Sequence, residues 1–156
     1  MRTDNKFTYY KKYFFLQCTA VTLTIGLIIY ILTMQNAVIV ASIGASAFII
    51  FASPHGYYAR PKKLIGGHLV GLLFGTIFSL INIHILPTEV ITTAFAVGCT
   101  FFLMVLIDVE HPPAAGTALG IVFIDVSLPL AIAIVASVCF ISLIHHLLRP
   151  YMKDLI

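Results

Sequence analysis

The chain has 156 residues, of which 60% are hydrophobic and 10% are charged, and its mean hydropathy is +1.05. A soluble domain is typically about half apolar and about a quarter charged, so this composition excludes a soluble globule and a disordered chain. The formal net charge of +3 is too small for a nucleic-acid-binding protein. We therefore expect an integral membrane protein whose main partner is the lipid bilayer.

Six apolar stretches predict six membrane segments in one all-α helical bundle that covers residues 1–156. The stretches are 14–32, 37–52, 69–85, 90–107, 114–124 and 128–148. Four of them have about the length that a helix needs to cross a hydrocarbon core. The second and the fifth are shorter and rich in Gly, Ala, Ser and Thr.

The positions of the basic residues favour six crossings. With six crossings, the basic segment 1–12, the loop after the second stretch and the chain end share one side of the membrane. These regions hold every Lys and Arg: Arg2, Lys6, Lys11, Lys12, Arg60, Lys62, Lys63, Arg149 and Lys153. The positive-inside rule places that side, and both termini, in the cytoplasm.

The order of segment lengths suggests an internal repeat of three segments. Each half, 1–87 and 88–156, reads long, short, long, and a three-segment unit must enter the membrane inverted in its second copy. Short, interrupted segments at matching places in two halves are the best sequence pointer to a transport site. A helix that begins inside the membrane offers backbone N–H groups and a partial positive charge to an anion.

The run 111–120 predicts such a helix start. Pro112 and Pro113 suit the approach and first turn of a helix. In the functional interpretation His111 lies at the mouth of a site, and the N–H groups near Ala115, Gly116 and Thr117 meet the substrate. In the alternative, this is an ordinary helix start, with Gly116 and Gly120 as a packing face.

The other small-residue runs have the same two interpretations. Ser42, Gly44 and Ser46 lie on the short second segment, where the hydroxyl groups suit a small oxyanion in a dry site. They also suit close helix packing. On the third segment a stripe of glycines four residues apart predicts packing, against a helix of the bundle or a second subunit of a homo-oligomer: Gly67, Gly71 and Gly75.

At these runs the chain resembles the HPP family of small integral membrane proteins. Four blocks in the family's order carry the resemblance, across about residues 12–148: 41–47, 53–55 with 60–62, 65–68 and the His111-Pro112-Pro113 run. The resemblance implies a compact helical membrane domain and, from plastid and cyanobacterial relatives, nitrite transport. The chain shows no appended regulatory domain and no transit peptide, so we expect a bacterial cytoplasmic (inner) membrane.

Five polar side chains fall at the predicted cytoplasmic end: His55, His68, His111, Asp108 and Glu110. They could relay protons or gate a pathway. No recognised metal-ligand spacing occurs, so we predict no metal and no cofactor.

The leading hypothesis is therefore a transporter or channel-like facilitator of a small inorganic anion, with nitrite as the candidate, and not an enzyme. A carrier of cations or neutral solutes is the nearest rival. An assembly subunit that docks on a larger partner is a second class. An intramembrane metal-site enzyme that uses His55, His68, Asp108 and His111 is a third.

Overall fold

The computed structural model of the protein describes residues 3–32, 37–82, 85 and 87–156. Arg2, in the predicted basic N-terminus, lies outside this range. The described residues form six α-helices and two short 3₁₀ turns, Tyr57–Ala59 and Arg149–Tyr151, without a strand. The helices are α1 Thr3–Leu32, α2 Ala37–Ala52, α3 Pro61–Ser79, α4 Thr88–Leu106, α5 Ala114–Ile124 and α6 Leu128–Leu148.

The helix bounds agree closely with the apolar stretches except at two places. The helix α1 begins at Thr3, within the basic segment that was expected to precede it, and it kinks at Tyr10. The helix α3 begins at Pro61, eight residues before the predicted start, and ends at Ser79, six residues before the predicted end. Pro61 occupies the first helical turn, where its missing N–H costs nothing. Apolar pattern alone misses this start because Lys62 and Lys63 follow it.

Two described helices are long and apolar enough to cross a membrane by length and composition, Thr88–Leu106 and Leu128–Tyr151. The apolar helices Val38–Ala52 and Ala114–Ile124 are shorter. At 1.5 Å per residue, the 11 residues of α5 span about 16 Å, roughly half of a hydrocarbon core.

The helices α3 and α5 lie side by side and run in the same direction. A Cβ atom built on Gly67 would approach His111, and one built on Gly75 would approach Ile121. Glycines let the two backbones approach closely because no side chain separates them.

The helices α2 and α4 run opposite to their neighbours α5 and α3. The contacts are Ser46 with His111 and Ile39 with Gly120 for α2, and Val70 with Met104 and Phe78 with Phe95 for α4. Helix direction therefore alternates along this part of the chain, as six crossings require.

Most of the basic residues gather at one end of the bundle. Gln17 of α1 donates to the carbonyl oxygens of Phe51 and Lys153, which joins the end of α2 to the chain end. Asp108 binds Lys62 and Lys63 at the start of α3. We call this the basic end. At the other end Ser79 donates to the carboxylate of Asp125.

Candidate functional site

The residues 111–113, which we call the HPP turn, lead into the bundle, with Pro112 at its surface. His111 and Ala114 have no exposed surface. A Cβ atom on Gly71 would run into the carbonyl oxygen of Ala114, so α5 begins beside a residue ten positions into α3. Since the two helices are parallel, α5 starts about 15 Å along the axis of α3.

Three backbone amides at the start of α5 are already hydrogen-bonded. The N–H groups of Ala114, Ala115 and Gly116 donate to the carbonyl oxygens three residues earlier, at 2.9, 3.2 and 2.9 Å. In this conformation the amides of Ala115 and Gly116 are therefore not the bare donors expected from the sequence. The two prolines explain it, because they fold the preceding chain into a turn whose carbonyls accept these bonds.

Side chains from α2, α3, the HPP turn and α5 instead form one buried cluster, which we call the polar network. Its members are Ser42, Ser46, His68, His111 and Thr117, each at most 5% exposed. In an apolar bundle such groups are costly unless they are hydrogen-bonded to one another.

Thr117 and Ser42 form the α5 side of the network. The Thr117 hydroxyl oxygen lies 2.8 Å from Nδ1 of His68 and 3.0 Å from the Ser42 hydroxyl oxygen. Ser42 also donates to the carbonyl oxygen of Pro113, at 2.5 Å, and so ties α2 to the HPP turn.

Ser46 forms the centre of the network. Its hydroxyl oxygen lies 2.8 Å from Nε2 of His68 and 2.9 Å from Nε2 of His111. The centres of the two imidazole rings are 5.4 Å apart. Nδ1 of His111 lies 3.1 Å from the carbonyl oxygen of Tyr58, where the network ends.

The predicted site residues divide into those that join the network and those that do not. Pro113 and Gly116 border it, since Gly116 lies against Ser42. Pro112 is exposed. Gly44 does not join, because a Cβ atom built there would meet nothing within 4 Å. Gly44 lies two positions from both Ser42 and Ser46 in the sequence, so it is on a different side of α2.

The glycine stripe Gly67, Gly71 and Gly75 faces α5 of the same chain. The atoms that a Cβ would meet belong to Val109, His111 and the α5 residues Ala114, Ala118 and Ile121. The stripe is therefore a contact within the bundle, and the proposal that it joins two subunits of a homo-oligomer is wrong. Gly116 and Gly120 also form a packing face, as the alternative interpretation of the run 111–120 predicts, because both lie against α2.

A charged cluster lies at the basic end, outward from the HPP turn. Lys63 has only 1% of its side chain exposed, and its Nζ donates to Asp108 at 2.6 Å, to Glu110 and to the Tyr57 hydroxyl at 2.5 Å. Lys62 contacts Asp108 from solvent at 3.1 Å. The hydrogen bond from Lys63 lowers the pKa of both Asp108 and Glu110, so both carboxyl groups are ionised at neutral pH.

The residues of the proposed metal enzyme do not converge. Asp108 binds the lysines, His55 lies 3.7 Å from Asp154 in an exposed pair, and only His68 and His111 are neighbours. No group of three His, Cys, Asp or Glu side chains in the described part of the chain could hold a metal ion. The metal-site alternative therefore has no geometric support.

Sequence reasoning missed the roles of Lys63 and Tyr57. Lys63 was used only for topology, yet it is the buried cation that holds two acids. Pro61 is the sequence signal that could have revealed this role. Proline favours the first turn of a helix, so a helix that starts at Pro61 carries Lys63 on the same element as His68. Nothing in the sequence pairs Tyr57 with Asp108, at 3.0 Å across 51 residues.

Comparison with known proteins places the chain among membrane proteins. Residues 8–152 match the family model described as "HPP, transmembrane region". A transmembrane protein of Dictyostelium discoideum is 33% identical over 88 residues, which cover 56% of this chain and 31% of that protein. A second from the same organism is 30% identical over 99 residues, covering 62% and 32%. The matched regions span about a third of these relatives. No solved structure matches the chain.

Proposed function

We propose that this chain, which belongs to the HPP family of transmembrane proteins, transports a small inorganic anion, with nitrite as the first candidate, and is not an enzyme. The polar network is the observation that carries the proposal. Five polar side chains from four segments meet inside an apolar bundle, and polar groups at such positions mark solute and ion pathways.

The side chains of the network supply the hydrogen bonds that an oxyanion needs. Three hydroxyl groups and two imidazoles can each donate one, and in a dry site such bonds are stronger than in water. We assign this role to the side chains of Ser42, Ser46 and Thr117, because their hydroxyl groups can rotate away from their partners in the network and donate to an anion that enters it.

The helix neighbours support a 3+3 inverted repeat. If α1, α2 and α3 are exchanged with α4, α5 and α6, each pair of packed helices becomes another packed pair, although α6 packs less extensively on α1 and α2 than α3 does on α4 and α5. The exchange relates the pair α3–α5 to α2–α6, the pair α3–α4 to α1–α6, and the pair α4–α5 to α1–α2. The pairs α2–α5 and α3–α6 are each related to themselves. A site between α2 and α5 then lies at the repeat interface, where such transporters bind their solutes.

The basic end suits the cytoplasmic side. The described lysines and arginines of the interhelical loops and chain end lie there, and the positive-inside rule gives that orientation. We propose a bacterial inner membrane, with the HPP turn opening toward the cytoplasm.

Flux into liposomes tests the proposal. Purified protein in liposomes should carry nitrite faster than protein-free liposomes. Losing one hydrogen bond of about 1.4 kcal/mol from the rate-limiting state slows flux about tenfold. We expect that loss for Thr117→Val and for Ser46→Ala.

Matched controls lie outside the network. Among the described residues, Thr92 and Ser137 each bond to carbonyl oxygens of their own helix. Thr92→Val and Ser137→Ala should keep wild-type flux. Flux equal to that of protein-free liposomes, or equal loss in the control variants, would refute the proposed pathway.

An assembly subunit is the second candidate, because the outer face of α4 is strongly apolar and exposed. Phe95, Phe101 and Phe102 are 60, 64 and 67% exposed. Cys99 lies beside Phe95 and Phe102 on this helix. Cross-linking from Cys99 to a second polypeptide in native membranes, together with the absence of nitrite flux, would favour this function over transport.

A further inference from the structure

The polar network contains a chain of hydrogen-bond links between two carbonyl groups, with one side contact from Ser46 to the carbonyl oxygen of Ser42. It runs from the Pro113 carbonyl through Ser42, Thr117, His68, Ser46 and His111 to the Tyr58 carbonyl. The chain therefore has six links and five side chains. A carbonyl oxygen only accepts, so both terminal links must be filled by side-chain donors.

The number of protons does not match the number of links. Each hydroxyl group carries one proton, and each neutral imidazole carries one N–H. Five side chains thus supply five protons for six links. If His111 donates to Tyr58 and Ser42 donates to Pro113, one link between them holds two facing lone pairs and no proton.

One additional proton resolves the mismatch. It adds to the imidazole nitrogen at the empty link, forms an N–H bond there and makes that ring an imidazolium, so that all six links are filled. The backbonding contact of Ser46 with the carbonyl oxygen of Ser42, at 3.0 Å, competes for a proton and only increases the shortage. Neutral, the network is a donor-poor site for an anion; protonated, it carries a positive charge.

We propose that the polar network takes up one proton together with each anion, so that transport is an electroneutral proton–anion symport. This inference rests on the proposed function. The anion neutralises the imidazolium inside the bundle, where an isolated charge is costly. On the other side of the membrane the N–H bond breaks, and proton and anion leave together.

The surrounding charges are consistent with a transferable proton. The neighbours of the two rings on α2 and α5 are hydroxyl groups. Toward the basic end lie Lys62, Lys63, Asp108, Glu110 and Tyr57, in which the two lysine charges balance the two carboxylates. On α6, His145 contacts the Pro54 carbonyl and His146 is exposed. No fixed charge of the cluster therefore holds the imidazolium permanently.

Nitrite flux under imposed gradients tests the symport. In wild-type liposomes, a pH that is one unit lower outside should raise the initial rate of nitrite uptake above the rate of passive nitrous acid entry into protein-free liposomes under the same gradient. The accumulation ratio should approach about tenfold, as a one-to-one symport requires. A potassium diffusion potential should leave the flux unchanged. Nitrite addition to weakly buffered liposomes should also make the outside medium more alkaline.

Replacing both rings of the network, His68→Gln with His111→Gln, and replacing the exposed ring alone, His146→Gln, separate the network from other histidines. Glutamine offers hydrogen bonds but takes up no proton in this pH range, so the double variant should lose the response to the pH gradient, and His146→Gln should keep it. Wild-type flux that follows the potential and ignores the pH gradient would overturn the symport while leaving nitrite transport intact. Absence of any flux would overturn the proposed function and the symport with it.

Discussion

At the scale of single residues, Thr117 connects three helices through one buried hydroxyl group. Its hydroxyl group has no solvent exposure and lies within 3.0 Å of both Ser42 and His68. It therefore joins α5 to α2 and to α3 at once. The hydroxyl is needed in this place because Nδ1 of His68 would otherwise be unpaired in an apolar interior, whereas Ser42 would keep its bond to the Pro113 carbonyl.

Thr117→Val should destabilise the bundle by about 1–2 kcal/mol, since it keeps the side-chain shape and removes the shared hydroxyl group. Unfolding of the detergent-purified protein, followed by circular dichroism in a denaturant series, measures the change. Thr92→Val is the matched control, because the hydrogen bonds that the structure gives Thr92 lie within α4. Equal stability of both variants would mean that the network contributes nothing to folding.

At the scale of elements, α5 is the centre of the bundle and depends on small residues for its position. It packs against α2, α3 and α4. The α3 glycines meet its backbone and its small side chains, while its own Gly116 and Gly120 meet α2. An 11-residue helix cannot reach both membrane surfaces, so these contacts decide the depth at which the HPP turn lies.

Gly71→Ala should destabilise the bundle by about 1–3 kcal/mol, because the new Cβ atom would clash with the Ala114 carbonyl and push α5 away from α3. Gly26→Ala on α1 is the control. Its Cβ atom would meet nothing within 4 Å, and alanine favours a helix by up to about 1 kcal/mol. A thermal unfolding comparison checks both, and a stable Gly71→Ala would show that the two helices are not in close contact.

At the scale of the whole molecule, the charged side chains that the structure describes lie toward the two ends of the bundle. The buried Lys63 holds Asp108 and Glu110 at the basic end, and the apolar surface between the ends suits lipid. The cluster joins the start of α3 to the loop between α4 and α5. Folding therefore depends on the ionisation of two carboxyl groups.

The stability of the protein should fall as the pH drops below about 5. Because hydrogen bonds from Lys63 lower the pKa of Asp108 and Glu110 in the folded state, the unfolded chain binds more protons in this range. The stabilisation is complete about one pH unit above the ordinary carboxyl pKa of about 4 and is lost progressively toward the lower folded values. Melting temperatures measured from pH 7 to pH 3 give the slope of stability against pH.

The double variant Asp108→Asn, Glu110→Gln is the comparison for this slope. It should be less stable at pH 7 and should lose less on acidification than the wild type. An unchanged slope in the double variant would assign the acid sensitivity to other groups.

The sequence by itself determined the class of the protein and most of its helices. Apolar stretches fixed α2, α5 and α6 at their observed bounds, because in a bilayer the backbone must satisfy itself within each segment. The HPP resemblance also rested on local runs, and the family match confirmed it. A helix whose hydrogen bonds all lie within one segment can be predicted from the sequence of that segment.

Only the tertiary structure decided which polar residues meet. Ser46 and His111 are 65 residues apart in the chain, and Lys63 and Glu110 are 47 apart. Gly44 lies on the same helix as Ser46 but does not contact the polar network. The amides of Ala114, Ala115 and Gly116 are bonded to carbonyl oxygens of the preceding turn, and the network consists of side chains. The reason is geometric: helix rotation and depth are set by packing between helices, and a single sequence carries the composition of each face but not its partner.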